Sequence, residues 1–144
     1  MTALLIDSSV LIKWVHRAGE SEVDEAQALR AAHISGDIEA RIIDLALYEV
    51  GNVLLRALNW APGDLADQLD DIVTICGPPL VMTAQWLRLA SRLAELHNLS
   101  FYDGSWAAAA AALKVPLVTA DRRLLAARLG ESATDTVHRL RLLP

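Results

Sequence analysis

Apolar residues follow two rhythms along this chain. Residues 3–6 and 115–119 are short, almost unbroken apolar runs, whereas the segments between them place apolar side chains every three to four positions. Unbroken runs suit central parallel strands covered on both faces, and the longer recurrence suits helices with one buried stripe. From the N-terminus the pattern predicts a strand at 3–6, a helix at 10–17 ended by Gly19, and a second helix from Ser21 to Gly36 with Asp24 as a weak capping-box partner. A short strand around Arg41, Ile42 and Ile43 follows, then a strongly apolar helix at 45–58. Pro62 stands where a helix start tolerates its missing N–H, and Leu65, Leu69, Ile72, Val73 and Cys76 carry that helix to Gly77-Pro78-Pro79. Leu80-Val81-Met82 reads as a brief strand and Thr83 as the N-cap of a helix reaching His97. Residues 100–104 read as a loop opening an alanine-rich helix at 105–113, and the chain closes with a helix at 122–129, a polar loop and a strand at 136–142. Strands alternating with helices imply an α/β fold, a single three-layer α/β/α domain over residues 1–144 with a central parallel sheet.

Composition narrows the class. A hydrophobic fraction of 53% in 144 residues is enough to bury a core without staples. Cys76 is the single cysteine, which excludes an internal disulfide and a cysteine-built zinc site and suits a reducing cytoplasm. No apolar run approaches the roughly 18 residues of a membrane helix, and the first residues lack a basic leader, so a soluble cytoplasmic protein with no membrane partner is expected. The net charge of −5 argues against a broad phosphate-binding surface. It leaves room for an enzyme whose acids hold a divalent cation, because the cation supplies the local positive charge.

Four acids stand in positions that invite chemistry. Asp7 and Asp121 directly follow the two unbroken apolar runs, Asp103 opens a helix beside Gly104, and Glu49 is embedded among Ala46, Leu47, Tyr48, Val50 and Val53. Asp7, Asp103 and Asp121 each have an alternative use as helix caps. Glu49 is harder to explain away, since a carboxylate in so apolar a segment is seldom buried unless paired or metal-bound. If the strand ends are neighbours, the four acids converge. Two carboxylates 4 Å apart repel by about 4 kcal/mol at an effective dielectric near 20, and a divalent cation relieves that repulsion. All-oxygen ligands favour Mg²⁺ or Mn²⁺, and the chemistry that follows is hydrolysis of a phosphodiester.

Asp7-Ser8-Ser9-Val10, Tyr48-Glu49-Val50-Gly51-Asn52, Phe101-Tyr102-Asp103-Gly104 and Val118-Thr119-Ala120-Asp121-Arg122-Arg123-Leu124 together resemble the successive motifs of the PIN-domain family. Their order across nearly the whole chain is similar to the small VapC-type toxins of bacterial toxin-antitoxin pairs. The resemblance implies a Mg²⁺-dependent ribonuclease that cuts RNA, is silenced by a cognate antitoxin protein and assembles as a homodimer or a larger toxin-antitoxin complex. It implies that Asp7, Glu49, Asp103 and Asp121 are the catalytic, metal-holding quartet and that Thr119 is the hydroxyl that positions it. Where relatives often carry a further acid after the fourth, this chain has Arg122 and Arg123.

Other constellations are poorer. A haloacid-dehalogenase-type phosphatase needs a second acid two residues after the first, where Ser9 stands; the strand-turn-helix serine signature and a Gly-rich phosphate loop are both missing. His16, His33, His97 and His138 have no ligand spacing. Lys13, Arg122 and Arg123 are the expected RNA contacts, with Trp14 beside Lys13 as a candidate for stacking. A second function class is a PIN-like fold kept only as a binding or scaffold module. A groove for the antitoxin is expected between Leu47, Leu54 and Leu58 on one helix and Leu65, Leu69, Ile72 and Val73 on the next.

Overall fold

The computed structural model describes residues 2–143. Met1 and Pro144, the two ends of the expected domain, lie outside the described residues. β1 (Thr2–Ile6) is the middle strand of a parallel three-stranded sheet ordered β2-β1-β3, with β2 at Ile38–Arg41 and β3 at Leu117–Val118. Thr2 faces Ile38 and Leu5 faces Arg41 on one side; Leu5 faces Leu117 and Ile6 faces Val118 on the other. Leu4, Leu5 and Ile6 alternate between the two faces of the sheet and all are fully buried, so helices cover both faces. The chain leaves β1 toward β2 on one side and later returns as β3 on the other. Such a reversal opens a crevice beyond the carboxyl ends of the strands on either side of it. Residues 7 and 119–121 stand at that crevice.

The helices are α1 (Ser8–Val15), α2 (Val23–Ser35), α3 (Leu45–Asn52), α4 (Pro62–Cys76), α5 (Ala84–His97), α6 (Phe101–Leu113), α7 (Arg122–Ala126) and α8 (Ala133–Leu140). Pro62 opens α4, Thr83 caps α5 by accepting from the Trp86 N–H at 3.1 Å, and Asn98 closes α5 in the left-handed region, as the sequence predicts. Several boundaries differ from the expectation. α1 starts two residues early, at Ser8. α2 starts at Val23 with Glu22 at its N-cap position in the left-handed region, so Ser21 and Asp24 form no capping box. β2 lies upstream of the expected centre, and Ile43 makes only an isolated parallel bridge to Leu80, which is what forms of the strand expected at 80–82. α3 ends at Asn52 and the next turn, Val53–Ala57, is a π-helix. Residues 101–103 are helical rather than loop, because the Ser100 hydroxyl accepts the Asp103 N–H at 3.0 Å and starts α6 there.

The largest correction is the expected strand at 136–142, which is α8. Ser132 caps it through the Asp135 N–H, and Ala133, Thr136, Val137 and Leu140 line its inner side at helical spacing. The alternation of Leu140, Arg141 and Leu142 mimics a strand only because the helix is short and its C-terminal turn is basic.

The expected leucine groove also closes. Leu54 and Ile72 are fully buried, and a Cβ on Gly51 would stand 3.6 Å from Leu69 and 4.0 Å from Leu65, so α3 and α4 meet side to side. A still closer contact joins α5 and α6. A Cβ on Gly104 would lie 2.7 Å from the Ala90 carbonyl oxygen and 3.0 Å from Ala94 Cβ.

Candidate active site

Asp7 occupies the N-cap position of α1, yet its carboxylate makes no cap. It accepts instead from three hydroxyls: Thr119 Oγ1 at 2.6 Å and Ser9 Oγ at 2.8 Å, both on Oδ2, and Ser8 Oγ at 3.3 Å on Oδ1. The two uses left open by the sequence are thereby separated. β1 and β3 end side by side, and the Asp7 N–H donating to the Val118 carbonyl at 2.9 Å fixes the approach.

The same hydroxyls tie the strand ends together. Ser9 Oγ accepts from the Ala120 N–H and Thr119 Oγ1 accepts from the Asp121 N–H. Thr119 is fully buried, and its methyl lies so close to Gly130 that a Cβ there would approach it to 2.7 Å. On the other wall, Glu49 Oε1 accepts from the Trp106 indole N–H at 2.8 Å and from Ser8 Oγ at 3.0 Å. Asp121 Oδ1 caps α7 by accepting from the Arg123 and Leu124 N–H groups. Among the described residues, Glu49 Oε2 and Asp121 Oδ2 accept no hydrogen bond.

Asp7, Glu49, Asp103 and Asp121 line one cavity of about 240 Å³, together with Ser8, Ser9, Ile12 and Val53. Burial pushes the Asp7 carboxyl above its ordinary range, against the pull of the Thr119, Ser9 and Ser8 hydroxyls. Glu49 is raised first by burial and then by Asp7 and Asp103, while Trp106 and Ser8 hold it down. Asp103 is raised by burial and by Asp121 and Asp7, with Ser100 and Arg123 opposing. The ion pairs among the described residues join Lys13 to Glu20, Arg41 to Glu39 and Arg139 to Glu131, so none neutralises these four acids. Negative charge is collected here without an ion-pair partner among the described residues. The donor set, all oxygen, fits a hard divalent cation. Among the described residues no three acidic, imidazole or thiol side chains close into a ready-made cage. That is compatible with Mg²⁺, which keeps waters and takes phosphate oxygens beside one or two carboxylates.

A family model described as the PIN domain matches residues 4–129. The chain belongs to the PIN-domain family. This PIN domain is 33% identical over 118 residues to a protein named Exonuclease VapC9 from Pyrobaculum aerophilum, covering 74% of this chain and 84% of that one. It shares its fold with the crystal structure of PAE2754 from Pyrobaculum aerophilum, at a TM-score of 0.68 and 24% identity over 99% of this chain and 98% of that chain.

Not every residue expected at the PIN-domain site is there. Lys13 is only 3% exposed, and its ammonium donates to Glu20 Oε1 at 3.2 Å and to the Ser21 carbonyl at 2.7 Å, so it fastens the α1–α2 connection and is removed from any RNA. Trp14 is buried as well and presents no ring for stacking. Arg122 and Arg123 are exposed, and Arg123 is close enough to act on Asp103. Cys76 has its thiol pushed up to about 12 by burial, which leaves it no nucleophilic role.

Three partners of the acids escaped the sequence reading. Ser8 and Ser9 were visible as hydroxyls beside Asp7, but only the fold shows that they reach Glu49 and Ala120. Trp106 carried one usable signal: an indole N–H in the alanine-rich middle of a helix, buried from Gly104 to Ala110, must find an acceptor, and these alanines offer none.

Proposed function

We propose that this PIN domain, acting as one unit over residues 1–144, is a Mg²⁺- or Mn²⁺-dependent endoribonuclease of the VapC toxin type. Its substrate is RNA, and a cognate antitoxin protein silences it in the cytoplasm. The observation that carries the reading is the gathering of four carboxylates, from just past β1, from α3, from α6 and from the N-cap of α7, around one cavity with no ion-pair partner among the described residues. Asp7, Glu49, Asp103 and Asp121 are the groups that would hold the cation. When bound, it would polarise the scissile phosphate and lower the pKa of the attacking water. The chain does the positioning. Thr119 and Ser9 fix Asp7 Oδ2, Trp106 and Ser8 fix Glu49 Oε1, and the Asp121 cap fixes the start of α7 with Arg122 and Arg123, which are proposed to contact phosphate. The antitoxin, and a homodimer or larger assembly with it, come from resemblance to the toxins.

The test is cleavage of end-labelled RNA by the pure protein with Mg²⁺ or Mn²⁺, with the new ends mapped. Internal cuts support the endonuclease reading. Stepwise shortening from one end would replace it with the exonuclease activity that the name of the VapC9 relative carries. Intact RNA at stoichiometric protein would leave the binding-module reading.

Metal and proton compete for the same oxygens. Asp7, Glu49 and Asp103 have folded-state pKa values raised above their unfolded ones, so the native state holds more protons across that interval. Their contribution to stability is full below the unfolded values near about 4 and is lost as pH climbs through the folded values. In EDTA, the melting temperature is therefore expected to be lower at about pH 7.5 than at about pH 5.5. Mn²⁺ must displace those protons, so its stabilising effect grows in the opposite direction and is larger at the higher pH. Calorimetry at the two pH values with and without Mn²⁺ checks both signs.

A further inference from the structure

Beside the carboxylate cleft lies a second hollow of about 350 Å³, lined by Leu45, Tyr48, Glu49, Asn52 and Tyr102. Glu49 lines both cavities, so they meet across one side chain. Both tyrosines of the chain stand here, each directly before a site acid, and both are left in water: Tyr48 is 75% exposed and Tyr102 61%. The tryptophans behave differently. Trp14 and Trp106 are buried, and Trp60 and Trp86 pack against the core.

We infer that the hollow between Tyr48 and Tyr102 receives one unstacked nucleobase of a single-stranded RNA whose neighbouring phosphate lies at the carboxylate cleft. The inference rests on the ribonuclease reading for that phosphate, and on the hollow alone for the base. Phenol rings offer faces for any base, the exposed Asn52 amide offers a donor and an acceptor to a base edge, and Leu45 adds an apolar floor. A base inside a duplex cannot present its face to such a platform, so the preferred substrate is a loop or a free strand. Charge argues the same way. A chain of net charge −5 repels a phosphate backbone overall, so stacking is called on for part of the affinity. Binding is then expected to fall only shallowly with salt, because few counterions are released.

The experiment uses fluorescein-labelled single-stranded RNA and its matching duplex, measured by anisotropy in Ca²⁺ for the wild type, Tyr48→Ala, Tyr102→Ala, Tyr48→Phe and Tyr102→Phe. Cleavage in Mn²⁺ and sedimentation of each protein run alongside. Each alanine variant is expected to bind the single strand roughly 10- to 100-fold more weakly, with the phenylalanine variants near wild type and duplex binding unchanged. The inference is overturned if the alanine variants bind as the wild type does, if the wild type prefers duplex or binds no RNA, or if the alanine substitutions dissociate a dimer, which would assign this face to a second copy of the chain. Tyrosine-dependent binding without any cleavage would uphold the base site and remove the ribonuclease reading; cleavage with tyrosine-independent binding would do the reverse.

Discussion

Asp7→Asn is expected to lower RNA cleavage by on the order of 10³-fold or more while raising the melting temperature of the metal-free protein. The two effects have one cause. Asp7 is 3% exposed and has no ion-pair partner among the described residues, and burial raises its pKa against the hydrogen bonds from Thr119, Ser9 and Ser8 that favour the charged form. Asparagine keeps an oxygen where Thr119 and Ser9 both donate, and its amide replaces Oδ1, where Ser8 can turn its hydroxyl to accept. The network survives and the buried charge disappears, along with the repulsion it exerts on Glu49 and Asp103. Cleavage assays and calorimetry on one sample decide it. Undiminished cleavage would remove Asp7 from the site, and a lower melting temperature would mean that the ionised form is stabilised by a group not yet recognised.

Gly104→Ala is expected to move stability in the opposite direction. Its Cβ would meet the Ala90 carbonyl oxygen at 2.7 Å and Ala94 Cβ at 3.0 Å, both fixed parts of α5 rather than the yielding end of a long side chain. α5 and α6 must part, at a cost of about 1–3 kcal/mol, or a drop of several degrees in melting temperature. Asp103 is the preceding residue on α6, so the same shift displaces a site carboxylate. A misplacement near 1 Å is enough to cost roughly 10²-fold in rate. Wild-type melting and wild-type cleavage together would show that the two helices are not in contact at this glycine. Comparing the two variants separates loss of activity by charge removal from loss by displacement, since only the second destabilises.

Much of this architecture was legible because single residues with strong local physics mark it. Asp7 and Asp121 end unbroken apolar runs, and the parallel pairing of those runs brings the two acids to one crevice. Pro62, Thr83 and Asn98 mark helix ends through a missing donor, a capping hydroxyl and a tolerated left-handed turn. Glu49 stood out as a charge in an apolar segment, and the fold places it in the cavity wall. What escaped depends on partners far away in sequence. Lys13 has the composition of a surface contact, and only the fold of residues 20–21 around its ammonium buries it. Leu54 and Leu65 read equally as a groove or a seam until the packing at Gly51 chooses the seam. α8 reads as a strand from its last residues, where Leu140, Arg141 and Leu142 alternate, and the Ser132 cap, which decides for the helix, lies just before it.

The hydrogen bond that holds Asp7 joins residues 112 positions apart, and β3 is in turn held by Glu131, whose backbone exchanges bonds with Leu117 and Thr119. During synthesis, the first strand leaves the ribosome long before the segment that completes its far side. Closing so long a loop is slow, and it comes last. A transcript cut short anywhere before codon 131 therefore encodes a peptide that cannot assemble the crevice, however well its early helices form. The order of the parts along the chain therefore postpones completion of the crevice until residue 131 has been made.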